Sequence, residues 1–372
     1  MRHAYDLIVV GSGIVGLSIA LAAVERRWRV LVVDRESRPI GASIRNFGFI
    51  TVTGQRAGQT WERARRTAER WLEICPQAGI PILQRGLMLA IREPLSEPVI
   101  DAFLATPMGE RLEALDRIEA CRRVPALVGA GLRCAVFSPH ELRIEPRTAV
   151  GSLAAWLRDA RGVNFLHETA VHQVSENTLA SSRGMLFADR IAVCPGPDLH
   201  TLFPEAFESR QVTLCKLQMM RVISRSSGSL KHPVMGDLSL VRYAGYAELG
   251  PAQALRTHLE STCRSALDNG VHIIAVQSAD GSWVIGDSHH YEASPDPFQD
   301  DRVDRLIMEH AGRLVDLDRA SIIERWVGVY PSGATDAFIE SPAPGVKLVS
   351  VTSGTGMSTG LAIAEETVAG WD

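Results

Sequence analysis

The sequence predicts a mixed α/β protein in which a parallel, doubly wound domain is interleaved with an antiparallel β-rich domain. Three observations carry this expectation. A strand, a glycine turn, a helix and a second strand follow one another within the first 34 residues. A block of short apolar strands occupies the middle of the chain. Strand-and-turn segments then recur at 192–196 and 348–356, as they would if the first domain were completed by later parts of the chain.

The opening unit is the most specific part. Asp6-Leu7-Ile8-Val9-Val10 reads as a strand, and Gly11-Ser12-Gly13-Ile14-Val15-Gly16 follows at once, leading into an apolar helix from Leu17 to Val24. Val30-Leu31-Val32-Val33 is the second strand and ends in Asp34, followed by Arg35. In this pattern Gly11 permits the tight turn, Gly13 lets a pyrophosphate approach the backbone, and Gly16 lets helix and strand pack closely. The helix N-terminus offers free N–H groups to phosphate, and Asp34 can accept from ribose hydroxyls. The pattern predicts a dinucleotide site.

Further elements follow from periodicity. Arg56 to Ala78 is helical, with Trp61, Ala64, Ala68, Trp71 and Leu72 on one side. Leu83 to Arg92 reads as strands around Gly86, Glu110 to Cys121 as a charged helix, and Thr148 to Ala160 as a helix. Val163 to Val174 is extended, and Leu186 to Cys194 is a buried strand stopped by Pro195-Gly196. Gln211 to Ile223, Leu238 to Tyr246, Val271 to Ser278 and Ser282 to Asp287 form the β-rich block. Val303 to Leu314 is helical, Leu348 to Ser353 is the last strand, and a closing helix spans Gly360 to Ala369. The expected division is 1–80, 141–210 and 322–372 for the cofactor domain, and 81–140 with 211–321 for the substrate domain.

Composition bounds the rest. The chain has 372 residues, 46% hydrophobic and 22% charged, with a net charge of -4. That is an ordinary globular composition, with no basic excess for nucleic acid or an anionic membrane. The apolar stretch Leu7 to Val24 is punctuated by its glycine turn, so it reads as a buried unit and not as a membrane span. Six cysteines lie scattered without a C-x-x-C pair, which implies reduced thiols, a cytoplasmic location and no structural zinc. No feature points to a particular oligomeric state.

Which dinucleotide is bound is indicated by Gly41-Ala42-Ser43-Ile44-Arg45-Asn46-Phe47-Gly48. With this segment the chain resembles the superfamily of glycine oxidase, sarcosine oxidase and D-amino-acid oxidase, in which such a stretch runs beside the flavin. Glu145-Pro146-Arg147, the Val171 region, Cys194-Pro195-Gly196, Arg325-Trp326-Val327-Gly328-Val329-Tyr330 and Ser353-Gly354-Thr355-Gly356-Met357-Ser358 continue the resemblance. It implies a Rossmann-type FAD-binding domain interleaved with an antiparallel β-rich substrate domain, the glutathione-reductase-like arrangement. It also implies FAD contacts along all of these segments. A narrower resemblance, through Gly41 to Gly48, Cys215 to Arg221 and Gly286-Asp287-Ser288-His289, is to the subfamily encoded beside phosphonate-degradation genes. That likeness implies an aminophosphonate substrate.

The resemblance bears on the chemistry. Flavin amine oxidation asks mainly for geometry, with the amine α-carbon over flavin N5 so that hydride can move to the ring. Some relatives attach FAD to a cysteine, but Gly328 stands at the aligned position and no cysteine follows Cys263, so FAD is expected to be non-covalent. Relatives also carry an oxygen-activating lysine, which Ser282-Trp283-Val284-Ile285 lacks. Oxidase and dehydrogenase both remain open, with Lys216, His289 and His290 as candidate positive charges and molecular oxygen as the expected acceptor.

A small anionic amine needs an anion anchor. Lys216, Gln218 and Met220 share one strand face by alternation and are expected to border the pocket. Arg242, Tyr243 and Tyr246 form one donor cluster, and His289, His290 and Tyr291 another. Arg242 is the expected anchor, with Lys216 and His289 beside the reacting centre and Arg45 and Tyr330 on the substrate side. No carboxylate spacing completes a metal site with the paired histidines. The alternative substrates are glycine, sarcosine or a D-amino acid.

Overall fold

The computed structural model describes residues 4–224 and 229–371. Its parallel sheet is made of short strands apolar on both faces. Tyr5–Val10 lies between Val30–Val33 and Gly184–Val193. Asn164–Leu166 extends the sheet beyond Val30–Val33, and Val346–Ser353 extends it beyond Gly184–Val193. Alternate residues serve opposite layers. Leu7, Val9, Val30 and Val32 pack with Leu17, Leu21, Trp71 and Leu361, which come from helices Ile14–Glu25, Gln59–Gln77 and Gly356–Ala369. Ile8, Leu31, Val33 and Val193 pack on the other face with Leu199 and Phe207.

Helix Ile14–Glu25 is buried almost all round, which explains why its sequence lacks a polar face. Among the described residues no helix is long and apolar enough to cross a membrane.

The antiparallel region centres on Thr213–Ile223, which pairs with Ser321–Ala343, Trp283–Gly286 and His290–Glu292. Ile274–Gln277, Val234–Gly236, Ile82–Ile91 and Cys134–Ile144 continue the pairing outward. Ser321–Ala343 pairs with Thr213–Ile223 along its first half and with Val346–Ser353 along its second. This one long strand carries the chain from the antiparallel core to the parallel one, and a cavity lies where it crosses.

Several local expectations are corrected. Leu238 to Tyr246 is not a strand; it forms a 3-10 turn at Asp237–Val241 and a short helix at Ala244–Ala247. The buried Asp237 carboxylate accepts from the backbone N–H groups of Arg92 and Glu93 at 3.1 Å, pinning the start of the turn. Gly245 then sits so close to the chain that a Cβ there would lie 2.3 Å from the Gln55 carbonyl oxygen.

Glu110 to Cys121 divides into strand Glu113–Asp116 and helix Arg117–Arg123, because the Asp116 side chain caps the helix by accepting from Glu119 N at 2.8 Å. The closing helix begins at Gly356 and not at Gly360. Helices Ser96–Leu104 and Ala252–Thr262 were not anticipated. Leu72, assigned to the buried stripe, is 41% exposed, whereas Trp71 is fully buried.

Candidate active site

The cavity has a volume of about 380 Å³ and runs from the first glycine turn, past residues 42–47 and 349–358, to a cluster of ionisable side chains. Its first end is shaped by Gly11, Gly13 and Gly16. Gly11 has φ +104°, and a Cβ on it would stand 2.3 Å from the Cys194 carbonyl oxygen. On Gly16 a Cβ would meet the Gly11 carbonyl oxygen at 1.9 Å, so helix and turn are in direct backbone contact. On Gly13 it would meet only Ser43 Oγ, at 3.1 Å, which leaves that approach open for phosphate. Ile14 N–H at the helix start donates to Ser43 Oγ at 2.9 Å, so Ser43 guards the helix end that would face a phosphate.

Residues 42–47 are fixed by their own bonds. Asn46 donates from Nδ2 to the Ala42 and Ser43 carbonyls at 2.8 and 3.0 Å and accepts from Gly48 N at 2.7 Å. Trp326 Nε1 donates to the Arg45 carbonyl oxygen at 3.3 Å, and the Arg147 guanidinium lies 4.7 Å over the Trp326 ring. Gly328 passes beneath this segment, where a Cβ would come within 3.0 Å of the Arg45 carbonyl oxygen. A side chain there would require Leu217 and the Arg45 backbone to shift. The far wall is the turn at Gly354, φ +71°, packed on the Tyr330 ring and leading into the helix at Gly356. An open glycine cradle, a free helix end and a long slot between domains fit an extended dinucleotide carrying an aromatic ring system.

Of the residues expected to meet the cofactor, Gly13, Ile14, Val15, Gly16, Ala42, Ser43, Arg45, Asn46, Phe47, Cys194, Gly196, Gly328, Gly354, Thr355, Gly356, Met357 and Ser358 line the cavity. Gly11, Ser12, Asp34, Gly48, Pro195 and Trp326 do not line it. Arg35 is turned toward Asp198 in an ion pair, and Val171 is buried in a strand pairing with Ser181.

The substrate side differs more from expectation. Lys216, Gln218 and Met220 do share a strand face, but it is the face turned away from the cavity. Lys216 Nζ pairs with Asp296 at 2.9 Å, and Gln218 Nε2 donates to Asp304 Oδ1 at 2.8 Å. Leu217 and Met219, on the opposite face, line the cavity instead. Tyr246 is also withdrawn, buried against Phe103 with ring centroids 4.5 Å apart. His290 turns to Asn269 Oδ1 at 3.1 Å, so it is separated from His289 by the same alternation.

What remains is compact. Arg242, Tyr243, His289, Tyr291 and Tyr330 line the inner end of the cavity, with Arg45. Arg242 is exposed, but to the cavity; its guanidinium lies 5.9 Å from the Tyr291 ring. Two residues given no role from sequence join them. His272 Nε2 lies 3.2 Å from Asp287 Oδ1, and His289 Nε2 lies 3.8 Å from Asp287 Oδ2. The two imidazoles stack with centroids 5.2 Å apart and 19° between planes.

A carboxylate therefore does stand among histidines here, contrary to expectation. His272, Asp287 and His289 bring ligand atoms within 4.8 Å of one another, but Asp287 is the one carboxylate among them and the Arg242 charge in the same cavity disfavours a divalent ion, so we assign no metal. Asp287 and His289 both lay within a quoted motif, and the structure places them in the short link between Trp283–Gly286 and His290–Glu292. His272 is brought in only by pairing across the sheet, through Asp287 N to the His272 carbonyl at 2.9 Å.

Burial governs the charges. It pushes the Asp287 carboxyl up to about 7, against the pull of Arg242. It drives His272 down to about 3, with Arg242 adding to the effect. Burial, then Arg242 and His272, also holds His289 well below the usual histidine range. Both imidazoles are thus neutral beside a carboxyl that titrates near neutrality.

Comparison with known proteins places this architecture. The family profile described as FAD dependent oxidoreductase (DAO) matches residues 6–369. A glycine oxidase of Geobacillus kaustophilus (strain HTA426) is 23% identical over 210 residues, which are 53% of this chain and 55% of that protein. The match thus spans about half the length of that curated relative. Among solved structures, glycine oxidase from Geobacillus kaustophilus superposes with a TM-score of 0.76 at 18% identity, covering 99% of this chain and 94% of that one. L-proline dehydrogenase from P. horikoshii gives 0.80 at 16% identity, covering 99% and 93%.

Proposed function

We propose that this chain, which belongs to the FAD dependent oxidoreductase family, oxidises a small anionic amine at the inner end of the cavity. The observation that carries this reading is Arg242. It lines the cavity, and the negative charge that Tyr330, Tyr291, Asp287 and Cys215 can carry favours its charged form against burial. Among the described residues no carboxylate forms an ion pair with it. A guanidinium left without a counter-ion, beside phenol donors and next to the flavin segments, suits an anionic group on a ligand. When bound, FAD supplies the two-electron acceptor for hydride from the amine α-carbon. The protein's part is to hold the anion at Arg242 and to orient the amine beside the flavin segments.

The preferred substrate is 2-aminoethylphosphonate or an N-alkyl derivative such as the N-methyl compound. The carbon–nitrogen bond is oxidised to an imine, which water cleaves to phosphonoacetaldehyde and the free amine. Molecular oxygen, reduced to hydrogen peroxide, is the proposed acceptor. FAD is held without a covalent link, since the aligned position is Gly328 and offers no thiol. A cytoplasmic location with reduced cysteines completes the proposal. The second reading is a glycine, sarcosine or D-amino-acid substrate, with a carboxylate on Arg242. The glycine oxidases among the similar proteins favour it.

Anaerobic titration of the flavin's visible absorbance separates the two. N-methyl-2-aminoethylphosphonate, 2-aminoethylphosphonate, sarcosine, glycine and D-alanine would each be added, and air readmitted with a peroxide assay. Selective bleaching by the phosphonates is the expected result. Bleaching only by the carboxylates moves the assignment to the second reading, and no bleaching by any of them overturns both.

A further inference from the structure

We infer that Asp287 and His289 together form a receptor for the amine end of the ligand, in which His289 Nε2 accepts a proton from the bound ammonium while Arg242 holds the anionic end. This rests on the amine-oxidation reading above and names the group that prepares the amine.

The tautomer of His289 follows from its surroundings. Its Nδ1 lies 2.9 Å from the Gly270 carbonyl oxygen, and a carbonyl can only accept, so Nδ1 carries the hydrogen. Nε2 of the neutral ring is then a bare lone pair, and it faces Asp287 Oδ2 at 3.8 Å. With Asp287 ionised, two acceptors face each other across that gap and call for a donor between them. Asp287 Oδ1 is buried, in a residue only 5% exposed; His272 Nε2 lies 3.2 Å from it but not in hydrogen-bonding geometry, so the oxygen is left unsatisfied. Such an orphan is costly unless a ligand completes it. An ammonium group has hydrogens for both positions. Arg242 lines the same cavity, so one cation and one carboxylate stand at its inner end, the complement of a zwitterion.

The proton step is balanced. An N–H bond of the ammonium breaks, an Nε2–H bond forms, and the electron pair stays on the ligand nitrogen as the lone pair that amine oxidation requires. The positive charge moves to the imidazole and is met by the Asp287 carboxylate. The groups facing this pair are His272, just before strand Ile274–Gln277, Tyr243 from the turn, His290 and Tyr291 from the strand that follows, Tyr330 from the long strand, and Arg242. Arg242 opposes a charge on His289, and an anion bound to it removes that opposition. His272 is a positioning residue, which stacks on His289 and stays neutral.

The test uses the holoprotein labelled with 15N in its histidines and reduced with dithionite, so that bound amine cannot turn over. Its His289 resonances are assigned with His289→Gln. At about pH 8.5, where the free pair is deprotonated, 2-aminoethylphosphonate should convert Nε2 of His289 from a bare to a protonated nitrogen. Ethylphosphonate, which lacks the amine, should bind and leave it bare. In Asp287→Asn the protonation should vanish and affinity for 2-aminoethylphosphonate should fall about tenfold or more, as for loss of a charge-assisted hydrogen bond. Affinity for ethylphosphonate should be retained.

If the aminophosphonate binds while Nε2 stays bare, or if ethylphosphonate protonates it equally, this inference is overturned and the amine reading stands. If glycine or sarcosine protonates Nε2 and no phosphonate binds, this inference stands and the phosphonate preference falls. Absence of binding by every amine overturns both.

Discussion

Asp34 accepts two hydrogen bonds from Ser12 through one oxygen, from the backbone nitrogen at 2.5 Å and from the hydroxyl at 2.7 Å. Its other oxygen accepts from Glu36 N at 2.9 Å. The acid that closes the glycine fingerprint is thus also a brace for the turn itself. Asp34→Ala removes the brace and is expected to weaken FAD binding by about tenfold or more, whereas Ser12→Ala, which leaves the backbone donor in place, should cost only a few-fold. Reconstitution of apoprotein followed by flavin fluorescence measures both. Equal effects of the two substitutions would show that the hydroxyl, not the backbone contact, holds the turn.

Gly11→Ala meets two obstacles at once. Its φ of +104° is strained for any other residue, and the new Cβ would collide with backbone at Cys194. Strand Tyr5–Val10 and strand Gly184–Val193 would have to separate locally. A loss of about 2–4 kcal/mol is expected, read as a lower Tm and lower FAD content after purification. Gly58→Ala is the comparison, because its positive φ of +81° comes with nothing within 4 Å of the added Cβ. It should be the milder of the two.

Arg242 and Lys216 make opposite predictions despite both being cations in the substrate region. Arg242→Met should raise KM for anionic amines by about tenfold or more while FAD content is unchanged. Lys216→Met should leave KM and kcat near their original values, because its ammonium is committed to Asp296 on the far face of the strand. Its cost is that of one partly exposed ion pair, about 1 kcal/mol or less. A strong kinetic effect of Lys216→Met with any of the amines would contradict the strand register described here.

Asp287 predicts a pH dependence of stability. Its folded carboxyl, pushed up to about 7, prefers the protonated form more than the unfolded chain does. That contribution is fully present below the ordinary aspartate range and is lost as pH rises from about 4 to 7, with a ceiling of roughly 4 kcal/mol. His272 acts in the other direction, since its lowered pKa costs stability as pH falls from about 6.5 to 3. Asp287→Asn removes only the first effect. Its Tm relative to the unsubstituted protein should therefore rise between about pH 4 and pH 8. A difference in Tm that is flat across that window would mean the carboxyl is not raised.

Sequence determined what depends on neighbours along the chain. The strand, glycine turn, helix, strand and acid of the first 34 residues are local geometry, and each residue's task there is set by backbone conformation and short spacing. The helix read from Thr148 in fact starts at Pro146, and the strands read around Gly86 are one strand, Ile82–Ile91, that passes through it at φ +73°. The family, and with it FAD, followed from the order of such segments. Tertiary structure decided which side of each strand meets the cavity. Alternation groups Lys216 with Gln218 and Met220, but no local rule states that Leu217 and Met219 are the ones facing inward, because that choice depends on what packs against either face. Likewise, Leu238 to Tyr246 has the composition of a strand, and contacts with Arg92, Glu93 and Gly54 coil it into the turn that aims Arg242 and Tyr243 inward. The meeting of His272, Asp287 and His289 is of the same kind. Asp287 and His289 lie two residues apart in the link between Trp283–Gly286 and His290–Glu292, but His272 reaches them only from another segment, and their low basicity or raised acidity comes from the burial that the whole fold imposes.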